Sequence, residues 1–403
     1  MDKALYRWIR ISLCNLLIVS LLGVIMRYKI AYTFPFLQQK FLMHAHSHFA
    51  FAGWISQALM ALMVAYLYRQ NSNAFKEYRI VLYANMITAY GMLFAFPLQG
   101  YGAVSITFST LNILTAYWFA VKYWRSLRHL PSANSHSWFK ASLLFNIISS
   151  LGAFALAYMM ATKNLHQNWY LAAVYFFLHF QYNGWFFFSC MGLLSDKIER
   201  AGIEMQFMNK VFWLFAVACI PAYFLSALWL PIPMIIYILV VISAVVQMIA
   251  GFILFINIRK HSNKFATNST SLGNWLMSLA SAALVIKLLL QLGSTIPSLS
   301  DLAFGFRPIV IGYLHLVLLA VISLFIVGYI SSQRFIALNK IVVRSINIFT
   351  GGIVLNQILL MIQGIAAMSY EGIPHMDRYL LTAGVIMFLS LLFLNIGLIK
   401  KNN

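Results

Sequence analysis

The sequence predicts an all-α fold, a polytopic bundle of about 12 transmembrane helices with both termini in the cytoplasm. Three observations lead to this prediction. Of the 403 residues, 62% are apolar and only 9% are charged, which is too little charge to cover a water-soluble surface of this size. Apolar runs of about 20 residues, the length of helix that crosses a bilayer, recur along the whole chain. The number of lysines and arginines alternates between high and low from one connection to the next.

The predicted spans follow one another without a stretch that could form a separate soluble domain. Residues 1–403 are therefore predicted to be a single integral membrane domain, and no obvious sequence repeat is evident. The spans, read from the apolar runs, are 8–32, 40–68, 78–97, 101–124, 138–161, 167–194, 208–230, 232–258, 272–295, 308–331, 343–368 and 378–399.

The distribution of basic residues predicts the orientation. The two termini and the even-numbered connections hold 21 of the 28 lysines and arginines. Because basic residues are retained on the cytoplasmic side, both termini are expected there, in a bacterial-type cytoplasmic (inner) membrane. This placement near anionic lipid also explains the net charge of +20, so membrane lipid, and not nucleic acid, is the expected partner.

Three histidines open the second span, in the run His44-Ala45-His46-Ser47-His48. On a helix His44 and His48 share a face, whereas His46 points about 160° away. His44 or His48 is therefore predicted to be the ligand of any bound group. His46 is predicted to pack against a neighbouring helix or to support a ligand.

Three more ionisable residues lie at a similar depth on the predicted topology, namely His179, Lys287 and His315 in the sixth, ninth and tenth spans. Such groups are costly inside a bilayer unless they face a cavity, a cofactor or each other. A single histidine can also simply donate to a backbone carbonyl, and Lys287 can extend to the interface. Their common layer favours a shared site. Imidazoles from separate helices suit b-type haem, and also copper or zinc.

The cysteines indicate no further site. Cys14, Cys190 and Cys219 all lie inside apolar segments, without a Cys-x-x-Cys pattern. We therefore predict no disulfide, no covalent c-type haem and no thiolate zinc cluster.

The layout and two short motifs resemble the catalytic subunit I of haem–copper oxidases. The motifs are His44-Ala45-His46-Ser47-His48 followed by Gly53-Trp54, and Tyr313-Leu314-His315-Leu316. They are closest to the divergent subunit-I-like and NnrS-like membrane proteins. The resemblance implies a low-spin haem b held by His315 and by one of the second-span histidines. It also implies copper or another metal at His179, with Tyr182 nearby and Lys287 as a weaker candidate.

Departures from the family pattern limit the expected chemistry. The seventh span has no histidine, the tenth has His315 alone, and all eight acidic residues lie at termini or connections. A complete proton-pumping oxidase is not expected, and whether the protein is an enzyme stays open. We expect electron transfer, or handling of O2 or NO, near the outer face, with an external electron donor or partner subunits. Arg307 and Arg378 are candidates for the haem propionates, and interfacial anchoring is the simpler role for each.

Two other interpretations stay open. The first is a 12-helix secondary transporter without haem, in which Pro221 and Gly351-Gly352 interrupt helices; it lacks the intramembrane carboxylate that ion coupling often uses. The second is a metal-dependent membrane enzyme with zinc or copper held directly by histidines. Its ligands would be His44, His48, His179 and His315.

Overall fold

The computed structural model describes residues 3–267 and 269–399. Within these ranges the chain is 85% helical and has no strands. Ten helices of 23 to 30 residues are long and apolar enough to cross a membrane. A helix satisfies its own backbone hydrogen bonds, which a segment inside hydrocarbon must do. The predicted all-helical, multi-pass membrane architecture is confirmed at this level.

The helices are connected by short turns, and four segments depart from α-helical geometry. The α-helices are α1 (Lys3–Ala31), α2 (Gln39–His48), α3 (Gln57–Tyr68), α4 (Ala74–Gln99), α5 (Ala103–Arg128), α6 (Asn134–Ala161), α7 (Gln167–His179), α8 (Phe187–Arg200), α9 (Gln206–Cys219), α10 (Met234–Lys260), α11 (Ser262–Thr267), α12 (Ser271–Gly293), α13 (Pro297–Gly305), α14 (Arg307–His315), α15 (Leu324–Ser332), α16 (Lys340–Met368) and α17 (Met376–Ile399). The others are the π-helices π1 (Phe49–Ser56), π2 (Phe180–Phe186) and π3 (Leu316–Ser323), and a 3-10 helix at Pro221–Ser226.

The predicted helix breaks have different outcomes. α9 ends at Cys219, and Pro221 begins the 3-10 helix, because proline cannot donate a backbone hydrogen bond. The break predicted at Gly351-Gly352 is wrong, since both glycines lie inside α16. A β-carbon at Gly352 would collide with the Met387 side chain. This glycine therefore allows α16 and α17 to pack closely, as small residues do between membrane helices.

The chain divides into two compact units. Unit 1 contains residues 3–123, 270–276 and 326–399, and unit 2 contains residues 124–269 and 277–325. In unit 1, α1 packs against α17 and π1; in unit 2, α6 packs against α7, α8 and π2. The three histidines of the second span thus belong to unit 1, whereas His179, Lys287 and His315 belong to unit 2.

The spans differ in how much apolar surface they leave exposed. In the helix Gln39–Tyr68, 89% of the apolar window is buried, against 22% in Ala103–Arg128. Large apolar side chains such as Phe94 and Phe252 are more than 60% exposed. Hydrocarbon tolerates such exposure, so the helix with the triple-histidine run is an interior helix and the exposed faces are suited to lipid.

Three helices widen from α to π geometry directly after a histidine. π1 follows His48, π2 follows His179 and π3 follows His315. π-helices are rare, and they occur frequently at functional sites. His179 and His315, which were predicted to lie inside the sixth and tenth spans, therefore each occupy the last α-helical position before a π-helix.

Side-chain amides from neighbouring helices bind the carbonyl groups of π1. Asn15 Nδ2 on α1 donates to Gly53 O at 2.6 Å. Asn85 Nδ2 on α4 donates to Ala52 O at 3.1 Å and to Gln57 Oε1 at 2.8 Å. Widening changes the regular i to i+4 hydrogen-bond pattern, and inside a bilayer the altered carbonyls need donors from within the protein. Asn15 and Asn85 supply them.

Replacing Asn15 or Asn85 by Leu should lower the thermal stability of the purified protein. Each variant leaves a buried π1 carbonyl without its side-chain donor, at a cost of about 1–3 kcal/mol. The matched control is Asn395→Leu, because Asn395 Nδ2 also donates to a backbone carbonyl, that of Leu13. Leu13 lies within an ordinary α-helix, so its carbonyl keeps its backbone partner in the variant. Equal losses in Tm for all three variants would contradict this role.

A second interior polar contact lies at the end of α8, outside the predicted span 167–194. Lys197 is 5% exposed. Its Nζ donates to Ser269 Oγ at 2.9 Å and lies 5.1 Å from the centre of the Phe265 ring. Burial, together with the nearby Arg200 charge, lowers the pKa of Lys197 from 10.5 to about 8. The charged amine is therefore unfavourable in the folded chain.

We expect the stability of the protein to rise with pH between about 8 and 10.5 through Lys197. In this window the unfolded chain still holds the proton and the folded chain has released it, so raising the pH favours the folded state. At about 1.4 kcal/mol per pKa unit, the full contribution is about 3 kcal/mol. Tm measured across this window should rise more steeply in the wild type than in Lys197→Met. Parallel curves for the two proteins would refute the assignment.

Candidate functional site

The triple-histidine run presents two rings to one side and one ring to the other, as predicted. His48 stacks on Phe96 with ring centres 4.5 Å apart, and its Nε2 lies 3.0 Å from the Tyr101 hydroxyl oxygen. His44 contacts the same Tyr101 ring at 4.6 Å. The two histidines therefore share a face, which in unit 1 lies against the end of α4 and the turn after it.

His46 faces α1 instead. Its Nδ1 lies 3.1 Å from Val19 O, and its ring lies beside Gly23 of the same helix. A carbonyl oxygen can only accept, so Nδ1 carries the hydrogen and the lone pair is on Nε2. Histidine ligands in metal sites are commonly oriented by such a bond from the other ring nitrogen.

His315 in unit 2 has the same arrangement. Its Nδ1 lies 2.8 Å from Ile311 O, one turn earlier in α14. The acceptor is again a carbonyl, which places the hydrogen on Nδ1 and the lone pair on Nε2. This contact comes from the last α-helical turn before π3. The backbone therefore fixes both the ring orientation and the tautomer of His315.

His179 is bound by the protein at both ring nitrogens. The side chain is fully buried. Its Nε2 donates to Cys219 O at 2.8 Å, and its Nδ1 accepts from Asn183 Nδ2 at 3.1 Å. A metal ion at this imidazole would have to displace one of these bonds. Among the described residues, no three His, Cys, Asp or Glu side chains are grouped to hold a metal ion.

Tyr182 connects the sixth and tenth spans within unit 2. The Tyr182 ring centre lies 6.4 Å from that of Tyr313 and 6.4 Å from that of His179. Tyr182 is 3% exposed. The π2 and π3 segments are in contact, so the aromatic pair lies where the two widened helices meet.

The two arginine candidates lie at helix starts. Arg307 is the first residue of α14 and is exposed. Arg378 is also exposed, near the start of α17, with its guanidinium 5.8 Å from the centre of the Tyr32 ring. A cation–π contact of this kind suits an interfacial anchor.

Lys287 does not extend to the surface. It is 6% exposed and lines a small cavity in unit 2 with Asn183, Cys219 and Gln247. The alternative in which Lys287 reaches the interface is therefore wrong. Cys219 and Gln247 were not among the predicted site residues. The hydrogen bond from His179 to the Cys219 carbonyl shows that α9 helps to hold His179. A contact with a backbone carbonyl cannot be predicted from residue types in a sequence.

A short repeat marks two of the three histidine helices, although no obvious repeat was expected in this sequence. The second span reads His48-Phe49-Ala50-Phe51-Ala52-Gly53-Trp54, and the sixth reads His179-Phe180-Gln181-Tyr182-Asn183-Gly184-Trp185. Both Trp54 and Trp185 are at most 1% exposed. A β-carbon at Gly184 would collide with Phe145 of α6, so this glycine permits close helix packing. The repeat coincides with π1 and π2.

We expect His179→Ala to lower Tm, because it leaves Cys219 O and the Asn183 amide unpaired in the interior, at about 1–3 kcal/mol for each group. A metal chelator should not change the Tm of the wild type, because protein groups already bond both ring nitrogens of His179. His179→Gln, which can still donate a hydrogen bond, should recover part of the loss. A drop in wild-type Tm on chelation, absent in His179→Ala, would instead assign a metal to His179.

Comparison with known proteins adds no relative to these observations. No protein-family model matches the chain, and no curated protein matches it significantly.

Proposed function

We propose that this chain is a haem-binding membrane protein that resembles oxidase subunit I and holds at least one haem b near the outer face. In this proposal it has 12 spans, with both termini in the cytoplasm of a bacterial-type cell. To the ten helices that meet the length and hydropathy criteria, the proposal adds two. They are the predicted span 167–194, which is helical throughout, and α9 with its 3-10 extension.

The hydrogen bonding of His46 and His315 carries the proposal. Each ring donates Nδ1–H to a backbone carbonyl, which is the tautomer that an Nε2 ligand to haem iron requires. Each histidine is therefore a candidate Nε2 ligand to haem iron.

These hydrogen bonds change which histidine of the triple-histidine run we favour as the haem ligand. His48 Nε2 is engaged with the Tyr101 hydroxyl, whereas His46 has the orientation expected of a ligand. We therefore favour His46 over His44 and His48. Its contact with α1 is then the bond that orients the ligand.

Haem b bound by these residues would supply a one-electron redox centre, and a diatomic gas would bind there if one ligand dissociates. The residues of the chain would hold the macrocycle, exclude water and set the imidazole orientation. Arg307 and Arg378 remain the candidates for the propionates, because exposed arginines at helix starts suit a carboxylate at the interface. Electron transfer, or handling of O2 or NO, follows as the function, with an external donor or partner subunit supplying the electrons.

Copper is not part of the proposal. His179 spends both ring nitrogens on Cys219 and Asn183, and the resemblance lacks the other copper ligands. Elemental analysis of the purified protein tests this limit directly.

Reduced-minus-oxidised spectra of the protein, purified from cells supplied with haem, should show a b-type band. Replacing His315 by Ala should abolish that band or convert it to a high-spin form. His46→Ala should do the same, while His44→Ala and His48→Ala should retain the low-spin band. The matched control is His261→Ala, because His261 Nδ1 makes the same bond to Asn257 O in a connection between spans.

Two outcomes would overturn the assignment. Loss of the band in His44→Ala or His48→Ala, with His46→Ala unaffected, would move the ligand within the run. A wild-type protein without any chromophore would remove the haem proposal. Substrate-dependent uptake by such a protein in proteoliposomes would favour the transporter, for which the helix break at Pro221 is the supporting observation.

A further inference from the structure

The interior of unit 2 contains a small cavity that the haem proposal does not use. Its polar lining consists of Asn183 from π2, Cys219 from α9, Gln247 from α10 and Lys287 from α12. Three phenylalanine rings complete the wall, those of Phe187, Phe188 and Phe215. The cavity has room for a single water-sized species. Five helical elements therefore line this cavity, namely π2, α8, α9, α10 and α12.

Lys287, the basic residue of the cavity lining, has no acidic partner there. Lys287 and Gln247 are 6% and 4% exposed, and Gln247 Oε1 has no hydrogen-bond partner. No acidic residue lies among the residues around the cavity. An isolated ammonium group in an apolar interior costs several kcal/mol, and such groups inside membrane proteins are paired or face a ligand. The cavity beside Lys287 is where a compensating charge can bind.

We propose that this cavity is a binding site for a halide ion, with Lys287 as its main ligand. A monatomic anion is the smallest ligand that can balance the single positive charge of a lysine. The ammonium group has three hydrogens that it can donate to such an anion. The site is independent of haem, and it goes beyond the proposed function.

The remaining lining residues suit an anion as well. Asn183 uses one N–H on His179 and has a second one to donate. Phenylalanine rings carry partial positive charge at their edges, so aromatic walls do not disfavour a halide. Because Asn183 and Cys219 also bind His179, a bound halide would stiffen the same contact that fixes the sixth span to α9.

The test compares Tm of the full-length purified protein in sodium chloride, sodium bromide and sodium gluconate at equal ionic strength. Chloride and bromide should raise Tm over gluconate, by an amount that grows with the logarithm of halide concentration. Lys287→Met should lose this dependence, and Lys287→Arg should retain part of it. The matched control is Lys197→Met, a buried lysine elsewhere in unit 2, which should keep the full dependence.

Broadening of the chloride-35 NMR signal by the protein gives a second measurement that does not depend on stability. The wild type should broaden the signal and bromide should compete, whereas Lys287→Met should not broaden it. Equal Tm in chloride and gluconate for the wild type, or the same halide dependence in Lys287→Met, would overturn the proposal. A Lys287→Met variant that is more stable than the wild type in every salt would show that the lysine is an unpaired charge and no ligand site.

Discussion

The need to satisfy every backbone N–H and C=O inside the protein constrains the rest of this structure. In hydrocarbon no water can replace a missing partner, so a helix can depart from α geometry only where groups of the protein supply hydrogen bonds. Among the described residues three helices widen, each directly after a histidine. Asn15 and Asn85 of neighbouring helices bind the carbonyls of π1, and within π3 itself Ser323 Oγ donates to Leu318 O at 2.8 Å. In π1 and π3, polar side chains thus lie where the helix widens.

The same constraint separates two kinds of interior histidine. His179 donates to one partner and accepts from another, so it serves as a polar connection between α7, π2 and α9. His46 and His315 each have Nδ1 within hydrogen-bond distance of a backbone carbonyl, so Nδ1 carries the hydrogen and the lone pair is on Nε2. The sequence predicted a similar depth for all three residues, and the direction of their hydrogen bonds distinguishes them.

The fold class followed from composition, because a chain that is 62% apolar with recurring 20-residue runs has few alternatives. The shared face of His44 and His48 followed from helical geometry. The π segments could not be predicted, since one extra residue per turn hardly alters an apolar pattern, although the His-Phe-x-x-x-Gly-Trp repeat marks two of them. The burial of Lys287 and the cavity beside it depend on α9 and α10, which are far away in the sequence. Gly351-Gly352 failed as a predicted break because tight packing against α17 uses the same residue type as a flexible turn.

The haem content of the wild-type protein decides whether this chain binds haem b. A pyridine haemochrome assay on protein purified from haem-supplied cells measures the ratio of haem b to polypeptide, without assumptions about ligands or function. We expect at least one haem b per chain, retained through purification. A ratio far below one, in protein that is folded and monodisperse, would contradict it.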